Sequence, residues 1–191
     1  MTITVSPVEG LPEIAPGDDL LTLLTDALRP LEPRDRDVLV VTHKVVSKSE
    51  GQVVEIVGDA ESFKRHLVES QAASIVRRRG DLIIAETKHG FICANAGVDR
   101  SNAAPDTMIL LPEDPDRSAR RIKRRIDHEF DVTVAVIVSD TFGRPWRRGL
   151  TDVAIGLAGM EPILDLKGTR DASGRELGGT EIAVVDELAA A

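Results

Sequence analysis

A fold mixing helices with strands, and carrying its ligands at strand ends, is what this sequence predicts, on three observations. The runs Asp37-Val38-Leu39-Val40-Val41-Thr42 and Val132 to Val138 are nearly unbroken stretches of apolar, β-branched residues, the pattern of strands buried on both faces. Pro115 to Phe130 has the charged, amphipathic pattern of a surface helix, with Arg and Lys on its exposed side. Neither a Gly-x-x-x-x-Gly-Lys-Ser/Thr loop nor a Gly-x-Gly-x-x-Gly turn occurs, so a bound nucleotide would be held by some other route.

The elements follow in order. Pro12 and Pro16-Gly17 mark an irregular entry, after which Asp18 or Asp19 caps a helix through about Leu28, with Leu20, Leu21, Leu24 and Leu28 at helical spacing. Pro30 and Pro33 end it. The strand at 37–42 empties into a loop from His43 to Gly51 that holds Lys44 and Lys48. Ala60 to Arg79 has helical character, and Asp81 to Ala85 and Gly90 to Ala94 read as strands around Lys88-His89-Gly90. After the helix at 115–130, the strand at 132–138 ends on Asp140-Thr141. Gly149 to Gly159 reads as a strand, Pro162 to Leu166 as a short one and Thr180 to Ala191 as a capped helix.

Composition narrows the classes. The 191 residues, 42% hydrophobic, suffice for a core in one domain or two small subdomains. A formal charge of −8 argues against a nucleic-acid binder held by phosphate contacts, and 3% aromatics without tyrosine leave no base-stacking platform. No leader pattern or spanning apolar stretch is expected, and the single Cys93 forms no intramolecular disulfide, which fits a reducing cytoplasm.

Two acidic loop ends carry the chemistry: Gly97-Val98-Asp99-Arg100-Ser101-Asn102 and Val138-Ser139-Asp140-Thr141-Phe142-Gly143-Arg144-Pro145-Trp146. Hard oxygens of this kind suit Mg²⁺ or Mn²⁺, which makes a metal and nucleotide site the leading reading. Asp99 and Asn102 serve equally well as a metal ligand with a hydrogen-bonding partner or as an Asx-turn. For Asp140-Thr141 a strand's carboxyl end favours ligand binding over an N-cap. Lys44 and Lys48 could reach phosphate, although by themselves they read as solvated lysines. Arg144, Arg147 and Arg148 place guanidinium groups, suited to phosphate or carboxylate, beside Asp140. Cys93 reads as a buried structural thiol, and of the histidines only His43 is placed to face a nucleotide.

Five motifs in this order resemble the coenzyme F420-0:L-glutamate ligase family. They are Gly10-Leu11-Pro12-Glu13-Ile14 with Pro16-Gly17-Asp18, Thr42 to Gly51, Gly97 to Asn102, Ser139 to Arg144, and Gly168-Thr169-Arg170-Asp171 to Glu176-Leu177. The resemblance implies an α+β fold of mixed sheets and flanking helices in two intertwined subdomains, forming a homodimer. It makes residues 1–191 one ligase domain, expected to stop short of the strand and loop that complete the family's nucleotide and second-metal site. It implies a GTP-dependent ligase, found alone or ahead of a second domain, that adds L-glutamate in γ-linkage to a deazaflavin coenzyme precursor through an acyl phosphate. By the same resemblance Leu11, Pro12, Glu13 and Ile14 wrap the nucleotide, His43 and Lys48 contact it, and Asn102 hydrogen-bonds it. Asp99 and Asp140 share one Mg²⁺ or Mn²⁺ and Thr141 helps hold a second, with K⁺ an optional further ion. The arginine-rich segment then suits the anionic tail or glutamate on physical grounds. Competing readings are a non-catalytic nucleotide or metal-binding module and a metal-dependent phosphohydrolase, which would release phosphate without glutamate.

Overall fold

The computed structural model describes residues 2–191, and an α+β architecture of small sheets and flanking helices is what it shows. Helix α1 (Leu20–Leu28) starts at Asp19, whose carboxylate accepts from the Thr22 N–H at 3.2 Å and from its hydroxyl at 2.7 Å. Its Leu20, Leu24 and Leu28 turn inward, and a single tight turn, Arg29–Leu31, brings the chain to strand β1 (Val38–Thr42). Then come helix α2 (His43–Ser49), strand β2 (Val53–Glu55), helix α3 (Ala60–Gln71) and the strands β3 (Ala72–Arg79), β4 (Leu82–Thr87), β5 (Ile92–Ala94) and β6 (Thr107–Ile109). Helix α4 (Pro115–Phe130) begins on Asp114, which accepts from the Arg117 N–H at 2.8 Å, and ends on Asp131 in the left-handed region. Strands β7 (Ala135–Arg144), β8 (Arg147–Ala158), β9 (Leu164–Asp165) and β10 (Glu181–Ile182) precede helix α5 (Val184–Ala189).

The principal sheet has the order β1-β7-β8, with β1 parallel and β8 antiparallel to the central β7. Its inner face meets α1 and α4 in a core that includes Leu24, Val41, Ile122, Ile126, Val136 and Val138. Each Ile or Val buried this fully contributes about 1.5–3 kcal/mol relative to exposure. A second core joins α3 to the antiparallel sheet β3-β4-β5 and the ribbon β2-β6 through Val68, Ile83, Ala85, Val98, Met108 and Leu110. Helix α5 covers Ile137 on the other face of the principal sheet. Among the described residues no helix is long and apolar enough to cross a membrane.

Several expectations need correction. Strand β1 is not buried on both faces: it pairs only with β7, so it is an edge strand and Val38 and Val40 stay exposed while Val41 is buried. The segment after it is a helix, not a loop, since no Gly or Pro interrupts it before Gly51 and Val46 anchors it in the core. Residues 72–79 are strand, because pairing with β4 overrides their helical character. Strand β7 runs on past Val138 to Arg144, so Asp140 and Thr141 lie inside a strand rather than at a loop. The final helix begins only at Val184, behind the short strand β10.

Candidate functional site

Parallel pairing of β1 with β7 sets the centre of the site. Thr42, the last residue of β1, lies opposite Ser139, so the first residue of α2, His43, falls beside Asp140 at the carboxyl end of β1, the end at which α/β sheets present ligands, while β7 runs on to Arg144. The His43 ring is fully buried, and its Nδ1 is 3.3 Å from Ser47 Oγ one helical turn on. Its Nε2 lies 3.2 Å from Asp140 Oδ1, yet the two are not aligned as a hydrogen bond, which leaves a buried ring nitrogen without a partner. An orphaned nitrogen of that kind is costly unless something occupies the space before it. Asp140 itself accepts from the Thr141 N–H at 2.7 Å.

The second acidic position comes from a constrained stretch. Asn95, Ala96, Gly97 and Asn102 all have positive φ, and a Cβ on Gly97 would press into the Leu111 side chain at 2.5 Å. Beyond that turn Asp99 exchanges backbone hydrogen bonds with Ile109, at 3.0 and 2.8 Å, fixing its place. Lys44 of α2 reaches across, with Nζ 2.6 Å from Asp99 Oδ2 and 2.5 Å from Ser101 Oγ. Burial works to raise the Asp99 pKa, but the bonds from Lys44 and Ser101 outweigh it and bring it down to about 2. A group whose folded pKa lies below its unfolded value stabilises the fold above that value and loses the contribution as pH falls through the folded one. Between about pH 4 and pH 2, in chelator, Asp99→Asn should therefore flatten the acid-side loss of stability. Parallel wild-type and variant stability curves over that range would show that Asp99 adds nothing.

Lys48, in the last turn of α2, is largely buried and meets the Glu13 carboxylate, tying the entry segment to this helix. In that segment Ile14 is in the core, Leu11 packs against it, and Pro12 and Glu13 are exposed. Asn102 is exposed on its left-handed turn. The expected residues thus converge in three contacts on α2, His43 with Asp140, Lys44 with Asp99 and Lys48 with Glu13.

Thr141 is not brought to the face of Asp140. Successive residues of a strand point to opposite faces, so Asp140 follows Val136 and Val138 on the α4 side while Thr141 follows Ile137 on the α5 side. There the Thr141 hydroxyl donates to Asp152 Oδ1 of β8 at 2.5 Å. Among the described residues, no group of at least three His, Cys, Asp or Glu side chains is gathered tightly enough to hold a metal. The donors at hand, the carboxylates of Asp99 and Asp140 and the hydroxyl of Thr141, nevertheless have the hard-oxygen chemistry of a Mg²⁺ or Mn²⁺ site, and Asp99 needs no deprotonation at neutral pH.

The aromatic pair Phe91 and Phe142, which the sequence reading passed over, and Cys93, which it read as a buried structural thiol, complete the picture. Cys93 on β5 is buried, and burial first, then the charge of Asp140, pushes its thiol up to about 11, which makes it a packing group rather than a nucleophile. The two larger sheets meet here, where β5 packs against β7. Phe91 and Phe142 pack edge to face at the same junction, with ring centroids 6.1 Å apart. Arg144, Arg147 and Arg148 lie at the exposed far end of the β7–β8 hairpin, several residues beyond Asp140.

Known proteins bear on this arrangement. Residues 10–191 match the family model described as F420-0:gamma-glutamyl ligase. A protein of Methanothermobacter thermautotrophicus named coenzyme F420:L-glutamate ligase is 41% identical over an alignment spanning 100% of this chain and 82% of that relative. A protein of the same name from Methanopyrus kandleri is 43% identical, over 100% of this chain and 80% of its own length. Another from Methanocaldococcus jannaschii is 38% identical, over 94% and 76%.

Proposed function

The chain belongs to the F420-0:gamma-glutamyl ligase family, and from that premise we propose that it joins L-glutamate to coenzyme F420-0 at the expense of GTP. The observation that carries the reading is the placement of His43 and Asp140 side by side where β1 ends, with Lys44 of α2 on Asp99 and Lys48 on Glu13.

A carboxylate is a poor acyl donor, so the γ-phosphoryl group of GTP passes first to the terminal carboxylate of the coenzyme precursor. The glutamate amine then attacks the acyl phosphate, an amide bond forms and phosphate leaves with the electron pair of the broken C–O bond. The protein's part is positioning and charge. Leu11 to Ile14 wrap the nucleotide and Asn102 hydrogen-bonds it. Lys48, already desolvated, offers its ammonium to phosphate oxygens in place of Glu13, whose carboxylate is 84% exposed and free to swing out. His43 borders the same phosphates. Asp99 and Asp140 would hold a divalent ion, whose charge would offset the repulsion between carboxylate and triphosphate, and Thr141 would help hold another once its hydroxyl left Asp152. A homodimer is part of this reading.

The test is a reaction of the protein with GTP, Mg²⁺ or Mn²⁺, L-glutamate and F420-0, followed by product mass. A gain of one or more glutamyl units that needs every component supports the ligase. Phosphate release without glutamate would point to a phosphohydrolase, and binding of GTP without turnover to a binding module. Lys48→Ala should weaken GTP binding by about tenfold or more, the worth of one charge-assisted hydrogen bond. GTP affinity unchanged in calorimetry would reduce Lys48 to a tether for Glu13.

A further inference from the structure

The tip of the β7–β8 hairpin is the feature that the proposed chemistry leaves unused. Trp146 occupies a two-residue turn, Pro145-Trp146, between the paired Arg144 and Arg147, and is 95% exposed. A single exposed ring is ordinary by itself, but this one stands in water between arginines on a built turn. The tip is also braced. The register slips between Gly143 paired with Leu150 and Arg144 paired with Arg147, leaving Arg148 and Gly149 as a bulge. Arg144 Nη2 donates to the Arg148 carbonyl at 2.5 Å and its Nε to the Gly149 carbonyl at 3.3 Å, so this guanidinium is spent on the hairpin itself. Arg147 and Arg148 have no carboxylate partner among the described residues. A braced turn that presents one indole face and two unpaired guanidinium groups is suited to a planar aromatic ring with an anionic substituent.

We propose that Trp146 stacks on the deazaflavin ring of the coenzyme precursor while Arg147 and Arg148 take the anionic part of its tail that lies next to the ring. The inference rests on the ligase reading for the identity of the ligand. At about 3.3 Å per residue the strand carries Arg144 roughly 13 Å from Asp140, so one molecule can lie along the arm with its ring at the tip and its reacting carboxylate at the base. The nucleotide is the other ring-bearing anion, but the segments proposed for it, Leu11 to Ile14 and α2, sit at the base of the arm.

Trp146 is the sole tryptophan and there is no tyrosine, so indole fluorescence reports this tip alone. The full chain is titrated with F420-0 and, separately, with GTP, against free N-acetyltryptophanamide at matched absorbance. Saturable quenching by F420-0 beyond the amide control, without quenching by GTP, is the expected result. Quenching by GTP alone, or none beyond the control, overturns the assignment. In turnover Trp146→Ala should raise KM for F420-0 by about tenfold, with kcat and KM for GTP unchanged and Trp146→Phe restoring most of the loss. A Trp146→Ala chain that keeps its KM but changes its sedimentation coefficient would mark the tip as a contact between copies and likewise overturn the proposal. Wild-type chain that is quenched by F420-0 but ligates nothing would instead sink the ligase reading and leave the ring site standing.

Discussion

Asp140→Asn is expected to lower ligation by at least about a hundredfold while the protein stays folded, a loss typical of removing a charge that orders metal and phosphate. The substitution is nearly isosteric. The amide oxygen can still accept the Thr141 N–H, which donates at 2.7 Å, so the strand keeps its local bond. What disappears is the negative charge beside the buried His43 Nε2 and at the junction of the two larger sheets. Product mass and thermal unfolding measured on one preparation separate the two effects. Normal turnover in the variant would remove Asp140 from the reacting centre, and a collapsed melting temperature would make it a structural residue.

How much of this could be read beforehand follows from which contacts are local. Helices α1 and α4 were legible because apolar spacing, an Asp cap and a proline all agree within one stretch. The α3–β3 boundary was not, because nothing between Ser70 and Ser74 signals a break and the strand exists only through its pairing with β4. Asp99 and Asp140 stood out by residue type, yet Lys44 was weighed as a solvated lysine, and its contact with Asp99 depends on α2 and on the turn at Asn95–Gly97 facing each other. Asp152 shows the limit most clearly. Counting outward from the Pro145-Trp146 turn pairs Thr141 with Leu150; only the bulge at Arg148 and Gly149 moves Asp152 opposite it.

The largest effect on stability should come from Gly156→Ala, some distance from the residues that carry the chemistry. Gly156 pairs with Val138, and a Cβ there would lie 2.5 Å from the carbonyl carbon and oxygen of Pro115, the first residue of α4. Those atoms are backbone, pinned by the Asp114 cap and by the bond from the Leu157 N–H to Asp116 Oδ1 at 2.7 Å, so no side chain can swing aside. Either α4 lifts from the sheet or β8 moves away from it, and either opens the core around Ile122 and Val138. Overpacking of this kind costs about 2–3 kcal/mol, a fall of roughly 4–12 °C in melting temperature for a chain of this size. Gly143→Ala is the matched control: a Cβ there meets nothing within 4 Å, and its effect should stay within about 0.5 kcal/mol. Because β7 holds Val138 against Gly156 and Asp140 two residues further on, Gly156→Ala should lose ligation as well, but recover part of it on cooling, as Asp140→Asn should not. Equal melting temperatures for Gly156→Ala and wild type would show that α4 slides freely on the sheet, and the tight helix-on-sheet contact would then have no part in placing Asp140.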